Sequence, residues 1–178
     1  MPSTFVVRDN KRIDWGIALA AGVIAMVVFG AIEAAFSWGG RGASAMHPFV
    51  VYGTATLNAL APNTAVGGGV RTAIVGGGLL LVLGALSGVI LAYFVDRIGL
   101  PTAALVGAVF GLAMYAIDMY GIAKLLPVLS ELRGWMSALA YVLQGLLAAA
   151  LYKVLTRDGA VAPASGPDLR DLRHAPLV

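Results

Sequence analysis

Four long apolar stretches run through this chain, each bounded by polar or charged residues. After a polar start carrying Arg8, Lys11 and Arg12, residues 15–38 are apolar except for Glu33 and the small Ser37. Crossing a bilayer takes about 20 helical residues, so this run of 24 predicts a spanning helix. It is too long for a typical signal-peptide core and no convincing cleavage site follows, which predicts a retained helix. A second span is predicted over 72–95, ending at Asp96-Arg97. Pro101 opens a third, 101–123, in keeping with proline's fit to the first helical turn. A fourth covers 134–153 and closes on Lys153. Between the first two, Pro48 opens the stretch 48–60, which is too short to cross. It predicts a short helix lying at the interface or dipping in as a re-entrant piece packed on protein. The glycines 67–69 before Val70-Arg71 predict a flexible link. The expected fold is an all-α integral membrane protein, a four-transmembrane-helix bundle over 15–155 with a polar N-tail, 1–14, and a C-tail, 156–178. The C-tail carries Pro163, Pro167 and Pro176, and alone it should be disordered.

Two acids interrupt this pattern in matching local sequence. Gly22 precedes Glu33 by eleven residues, as Gly107 precedes Asp118, and each acid follows Ala-Ile. Leu86-Ser87-Gly88 and Leu143-Gln144-Gly145 align more loosely, each followed by apolar residues. The pattern suggests a duplicated helical hairpin with the 48–70 segment inserted in the first copy. Coincidence among abundant Gly, Ala and Leu is the competing explanation.

An acid inside a membrane span is expensive and marks a functional site by default. At 1.5 Å per residue, Glu33 and Asp118 both lie within about 10 Å of the same boundary. Helical spacing puts Gly107, Gly111, Tyr115 and Asp118 on one stripe and Gly22, Met26, Phe29 and Glu33 on another. Ser137, Tyr141, Gln144 and Ala148 form a third, too polar to face lipid. Glu33, Asp118, Tyr115, Tyr141 and Gln144 are therefore expected to converge as an intramembrane polar cluster. The cluster could bind or relay a cation, or it could hydrogen-bond across the bundle and fix helix packing. Few polar groups line the other half of these spans, Ser87 being the main one, which weighs against a continuous proton path. Gly84, Gly88, Gly107 and Gly111 have the spacing that lets helices approach closely, and packing within the bundle is the expected use.

Composition narrows the class. Sixty per cent of the residues are hydrophobic and 12% are charged, against roughly 25% charged in soluble domains; the mean hydropathy is +0.88. The net charge of +3 comes from basic residues scattered beside apolar segments, a topological pattern that gives no reason to expect nucleic acid. Eight Lys and Arg fall on the side of the termini and the 96–100 loop, and four, Arg41, Arg71, Lys124 and Arg133, on the other. That split places both termini in the cytoplasm. The absence of cysteine excludes disulfides, thiolate metal sites, iron–sulfur clusters and cysteine nucleophiles. Neither His47 nor His174 lies in a span, so a bis-histidine haem is unavailable within the chain. His47 has no second metal ligand nearby in sequence, and no cofactor or metal is expected. Trp38, Trp135 and Tyr52 are expected as interfacial anchors on one side, Tyr93 and Tyr152 on the other.

The segment Gly107–Tyr152 contains Phe110-Gly111-Leu112-Ala113-Met114-Tyr115-Ala116-Ile117-Asp118-Met119-Tyr120-Gly121, followed by Pro127, Trp135, Gly145 and Tyr152. It resembles small bacterial four-helix inner-membrane proteins of the YagU-like type, and the first helix through Glu33 shares the resemblance weakly. Some relatives carry the label sodium:proline symporter, although such symporters are much larger and have many more helices. Relatives often carry Asn where Asp118 stands and His where Tyr141 stands, so this chain departs from the family at both positions. The resemblance implies fold and a multi-pass location in the bacterial inner membrane. With no nucleophile–base pair in the sequence, the expected function is non-enzymatic: an accessory subunit of a larger membrane assembly, for instance a respiratory complex. Its partners would be the lipid bilayer and neighbouring membrane subunits or further copies of itself. The rival is a small proton- or cation-coupled transporter acting as an oligomer through Glu33 and Asp118.

Overall fold

The computed structural model describes residues 13–61 and 69–158; most of both tails and of the predicted glycine link lie outside the described residues. Helix α1 spans Trp15–Gly40, α2 His47–Leu60, α3 Val70–Val95, α4 Leu100–Ala116 and α5 Trp135–Asp158. No strand occurs among the described residues. Among the described residues, four segments are long and apolar enough to cross a membrane: Trp15–Gly40, Val70–Val95, Leu100–Lys124 and Trp135–Thr156.

Local chemistry sets the boundaries. The Asp14 carboxylate accepts the Ile17 N–H at 3.0 Å and caps α1, satisfying one of the free donors at a helix start. Pro48 and Pro101 stand in the first turns of α2 and α4, where a missing N–H costs nothing. Gly42 takes φ +65° and turns the chain away from α1, a conformation glycine adopts without strain.

The third span departs from the single α-helix predicted over 101–123. Regular α-helix ends at Ala116, and the chain continues as a π turn, Ile117–Gly121, and a 3-10 turn, Ile122–Lys124. The Ile122 N–H reaches back to the Ile117 and Asp118 carbonyls. The Arg133 guanidinium donates to the Met119 carbonyl and lies 4.5 Å from the centre of the Tyr120 ring. Side-chain capture of a main-chain carbonyl accompanies the irregular hydrogen-bond ladder of such a turn. A second 3-10 piece, Pro127–Leu132, leads into α5.

Glycine decides which helices touch. α1 packs on α3 and α5, α4 packs on α5, and α4 meets α3 only slightly. A Cβ on Gly22 would lie 2.1 Å from the Gly84 carbonyl oxygen, and one on Gly88 would lie 2.3 Å from that of Ala18. In the other pair, Gly145 and Gly107 approach each other's carbonyls at 2.1 and 2.3 Å, and Gly111 approaches that of Tyr141 at 2.0 Å, measured the same way. Such backbone-on-backbone contacts need small residues. The short α2 uses the same device: a Cβ on Gly53 would fall 1.9 Å from the Thr72 carbonyl, and one on Gly76 1.9 Å from that of Phe49. The buried core falls into two clusters. One, at the Asp96 end, is rich in alanine, with Ala18, Ala21, Ala25, Ala92, Ala103, Ala148 and Ala149. The other, at the Glu33 end, is built from large side chains, with Phe29, Tyr52, Leu80, Met119, Leu132 and Tyr141.

Candidate functional site

The large-residue end holds the buried polar groups. Met26, Phe29 and Glu33 on α1 are buried, as are Gly107, Gly111, Tyr115 and Asp118 along α4 and its π turn. Ser137, Tyr141, Gln144 and Ala148 on α5 are buried too. The three stripes therefore all face protein, yet their polar members divide into separate partnerships.

Glu33 pairs with Arg41. The guanidinium donates to Glu33 Oε2 at 3.0 Å, to Ser137 Oγ at 2.7 Å and to the Leu132 carbonyl at 3.3 Å. One arginine thus ties α1 to α5 and to the 3-10 piece before it. Arg41 enters the sequence reading only as a loop charge; the Gly42 turn leaves it beside α1, where it reaches back to an acid eight residues earlier. The other Glu33 oxygen, Oε1, is buried with no hydrogen-bond partner among the described residues.

Asp118 belongs to a second network. Tyr141 donates to Asp118 Oδ2 at 2.5 Å, and the Tyr52 hydroxyl lies 2.8 Å from that of Tyr141. Tyr141 has one proton and gives it to the carboxylate, so Tyr52 is the donor to Tyr141. Burial raises the Tyr52 phenol far above the usual tyrosine range, which keeps that proton in place. Tyr52 is thus a buried link rather than the interfacial anchor expected from sequence; it is only 3% exposed. The reason is the close seat of Gly53 on α3, which draws the neighbouring ring inward. Aromatic rings pack against Tyr141: Phe29 lies edge-on to it at 4.8 Å and Tyr115 at 5.8 Å, with the exposed Tyr120 further out, 6.1 Å from Tyr115.

Two of the cluster residues expected to partner an acid bond elsewhere. Gln144 donates to Ser87 Oγ at 3.3 Å, and Ser87 donates to the Gly84 carbonyl at 2.9 Å. The Tyr115 hydroxyl accepts the Gly134 N–H at 3.2 Å. Asp118, Tyr141, Tyr52, Gln144 and Ser87 nevertheless line one small cavity, whose remaining walls are apolar side chains of α1, α3 and α4. Its volume, measured for the centre of a water-sized sphere, is about 20 Å³, room for one water-sized occupant.

The other end carries a smaller polar group. The buried Tyr152 donates to Asp96 Oδ1 at 2.8 Å, and Lys153 donates to the Asp96 carbonyl at 2.8 Å. Tyr152 therefore ties α5 to the end of α3 and is not a solvent-facing anchor. Trp38, Trp135 and Tyr93 are exposed. His47 Nε2 lies 3.8 Å from Glu131 Oε2, and no cluster of three metal-ligating side chains occurs among the described residues.

Comparison with models of known families, with curated proteins and with solved structures gives no match for this chain.

Proposed function

We propose that this chain is a non-enzymatic accessory subunit of a larger membrane assembly, with a respiratory complex as one candidate parent. In this reading it is a four-helix transmembrane bundle of the YagU-like type in a bacterial inner membrane, with both termini cytoplasmic. The observation that carries the reading is the closed Asp96 end. There the helices meet through glycine backbones and alanine side chains, and beyond Ser87 and Gln144 no buried polar side chain occurs among the described residues before the Tyr152 pair. A conduit needs polar groups along its whole depth, whereas a subunit held rigid within an assembly does not. The polar groups at the Glu33 end join helices to one another, as suits a scaffold. The exposed Trp38, Leu60, Leu125 and Trp135 give the same end an apolar rim that can meet lipid or a neighbouring subunit.

The bundle also reads as a duplicated hairpin. In each copy, the glycine eleven residues before the acid meets a glycine backbone on the partner helix, Gly22 at Gly84 and Gly88, Gly107 at Gly145. Relative to an alignment of Gly88 with Gly145, the contact in the second copy lies about one turn further along the partner helix. Purification of the natively expressed chain in mild detergent tests the subunit reading. Stoichiometric recovery with a large complex is the expected result. Recovery only as a homo-oligomer would favour the rival coupled transporter.

A further inference from the structure

We infer that the cavity beside Asp118 is a binding site for a single small monovalent cation, held by oxygens of Asp118, Gln144, Tyr52 and Ser87. The inference goes beyond the subunit reading and does not depend on it.

Charge is the first argument. Asp118 has no cationic side chain within ion-pairing distance among the described residues. Arg41 is held by Glu33, and Arg133 by the Met119 carbonyl and the Tyr120 ring. A buried carboxyl is neutralised either by a counter-charge or by a proton, and no cationic side chain reaches Asp118.

The second argument is the supply of hydrogen-bond donors. The Tyr141 proton goes to Asp118 and the Tyr52 proton to Tyr141. The Ser87 proton goes to the Gly84 carbonyl, and one Gln144 N–H goes to Ser87. The capacity left among the lining groups is nearly all acceptor: a second carboxylate oxygen, the Gln144 carbonyl, and lone pairs on Tyr52 and Ser87. The one donor left over is the second Gln144 N–H. An acceptor-rich, donor-poor lining suits a cation.

Size and charge count then select the class. The space admits one water-sized occupant. Asp118 is the one acid in the lining, which matches one positive charge. Divalent ions take six or more oxygen ligands, commonly with several carboxylates. A water would fill the space but bring no counter-charge for the ionised acid.

The test uses the full chain, purified in detergent and exchanged into choline chloride at pH 8, a cation too large for the cavity. Binding of ²²Na⁺ and ⁸⁶Rb⁺ is measured by scintillation proximity, with the melting transition followed in parallel. The expected result is saturable binding of at least one ion at a single ion per chain, with a higher melting midpoint in that ion than in choline. Asp118→Asn should abolish the binding. Gln144→Leu, which keeps the acid, should weaken it by about tenfold or more, as for a lost ligand to a charged group. Glu33→Gln should leave it unchanged. The proposal is overturned if the folded protein binds neither ion. It is also overturned if binding survives both cavity variants or follows Glu33 instead. A midpoint that responds to pH but to no alkali ion would overturn it too, leaving Asp118 neutralised by a proton.

Discussion

Two side chains carry most of the polar linkage at the Glu33 end, Tyr141 and Arg41. Tyr141 is donor to Asp118 and acceptor for Tyr52, so Tyr141→Phe leaves both without their partner. Intramembrane hydrogen bonds contribute about 0.6–2 kcal/mol each, and this variant should lower unfolding stability in detergent by roughly 1–3 kcal/mol. Tyr52→Phe removes one bond and should cost about half as much; equal losses would show that the Tyr52 link, not the acid, carries the effect. Arg41 is different because it neutralises Glu33. Arg41→Ala strands a buried carboxylate and should destabilise more than Glu33→Gln, with a coupling energy between the two of about 1–3 kcal/mol in a double-mutant cycle. Additive losses would mean that the pair is screened and structurally idle. At this scale the sequence reveals the stripes, because helical spacing alone decides which residues share a face. It does not reveal the partners. Arg41 depends on a turn at Gly42, and Tyr52 on how a short helix is oriented, and neither is encoded in periodicity.

At the scale of the element, glycine placement explains why α2 stays docked although it is too short to span. Its contact with α3 is made at Gly53 and Gly76, where even a methyl group would collide with backbone. Gly77 and Gly78, on the same helix, have nothing within 4 Å of an added Cβ. Gly53→Ala should therefore destabilise by about 1–3 kcal/mol, as overpacking does, and should loosen Tyr52 from Tyr141. Gly77→Ala should be neutral or stabilising by up to about 1 kcal/mol through helix propensity. Thermal unfolding in detergent checks both, and an equal effect at the two sites would remove the special role of the α2 contact. The spans were legible from length and hydropathy, with ends displaced by a few residues. The π turn at Asp118 was not. It coincides with capture of the Met119 carbonyl by Arg133, a tertiary contact that joins residues fourteen apart across a connecting loop.

For the whole molecule, the remaining question is which way it stands in the membrane. Four basic residues were assigned to the Glu33 side, but two of them are engaged within the protein: Arg41 with Glu33, and Arg133 with the Met119 carbonyl and Tyr120. Arg71, in the first turn of α3, and Lys124, at the end of the 3-10 turn, are left on that side, against seven on the side of the termini once Lys153, which donates to the Asp96 carbonyl, is set aside in the same way. The rule that cytoplasmic loops retain Lys and Arg therefore acts on a larger difference than the raw count suggests. The prediction is that the loops at 41–46 and 125–134 face away from the cytoplasm and that the 96–99 turn faces it. The chain has no cysteine, so single introduced cysteines report without background. Ala43→Cys and Leu125→Cys should react with a membrane-impermeant maleimide in cells whose outer barrier is opened, and Arg97→Cys should react only once the bilayer is permeabilised. Leu125 suits the test because it is 82% exposed. The reverse pattern would invert the molecule while keeping its four crossings. Labelling of Ala43 and Arg97 from the same side would mean that the chain between them does not cross an odd number of times. The assignment of α2 as a helix that does not span would then fail along with the orientation.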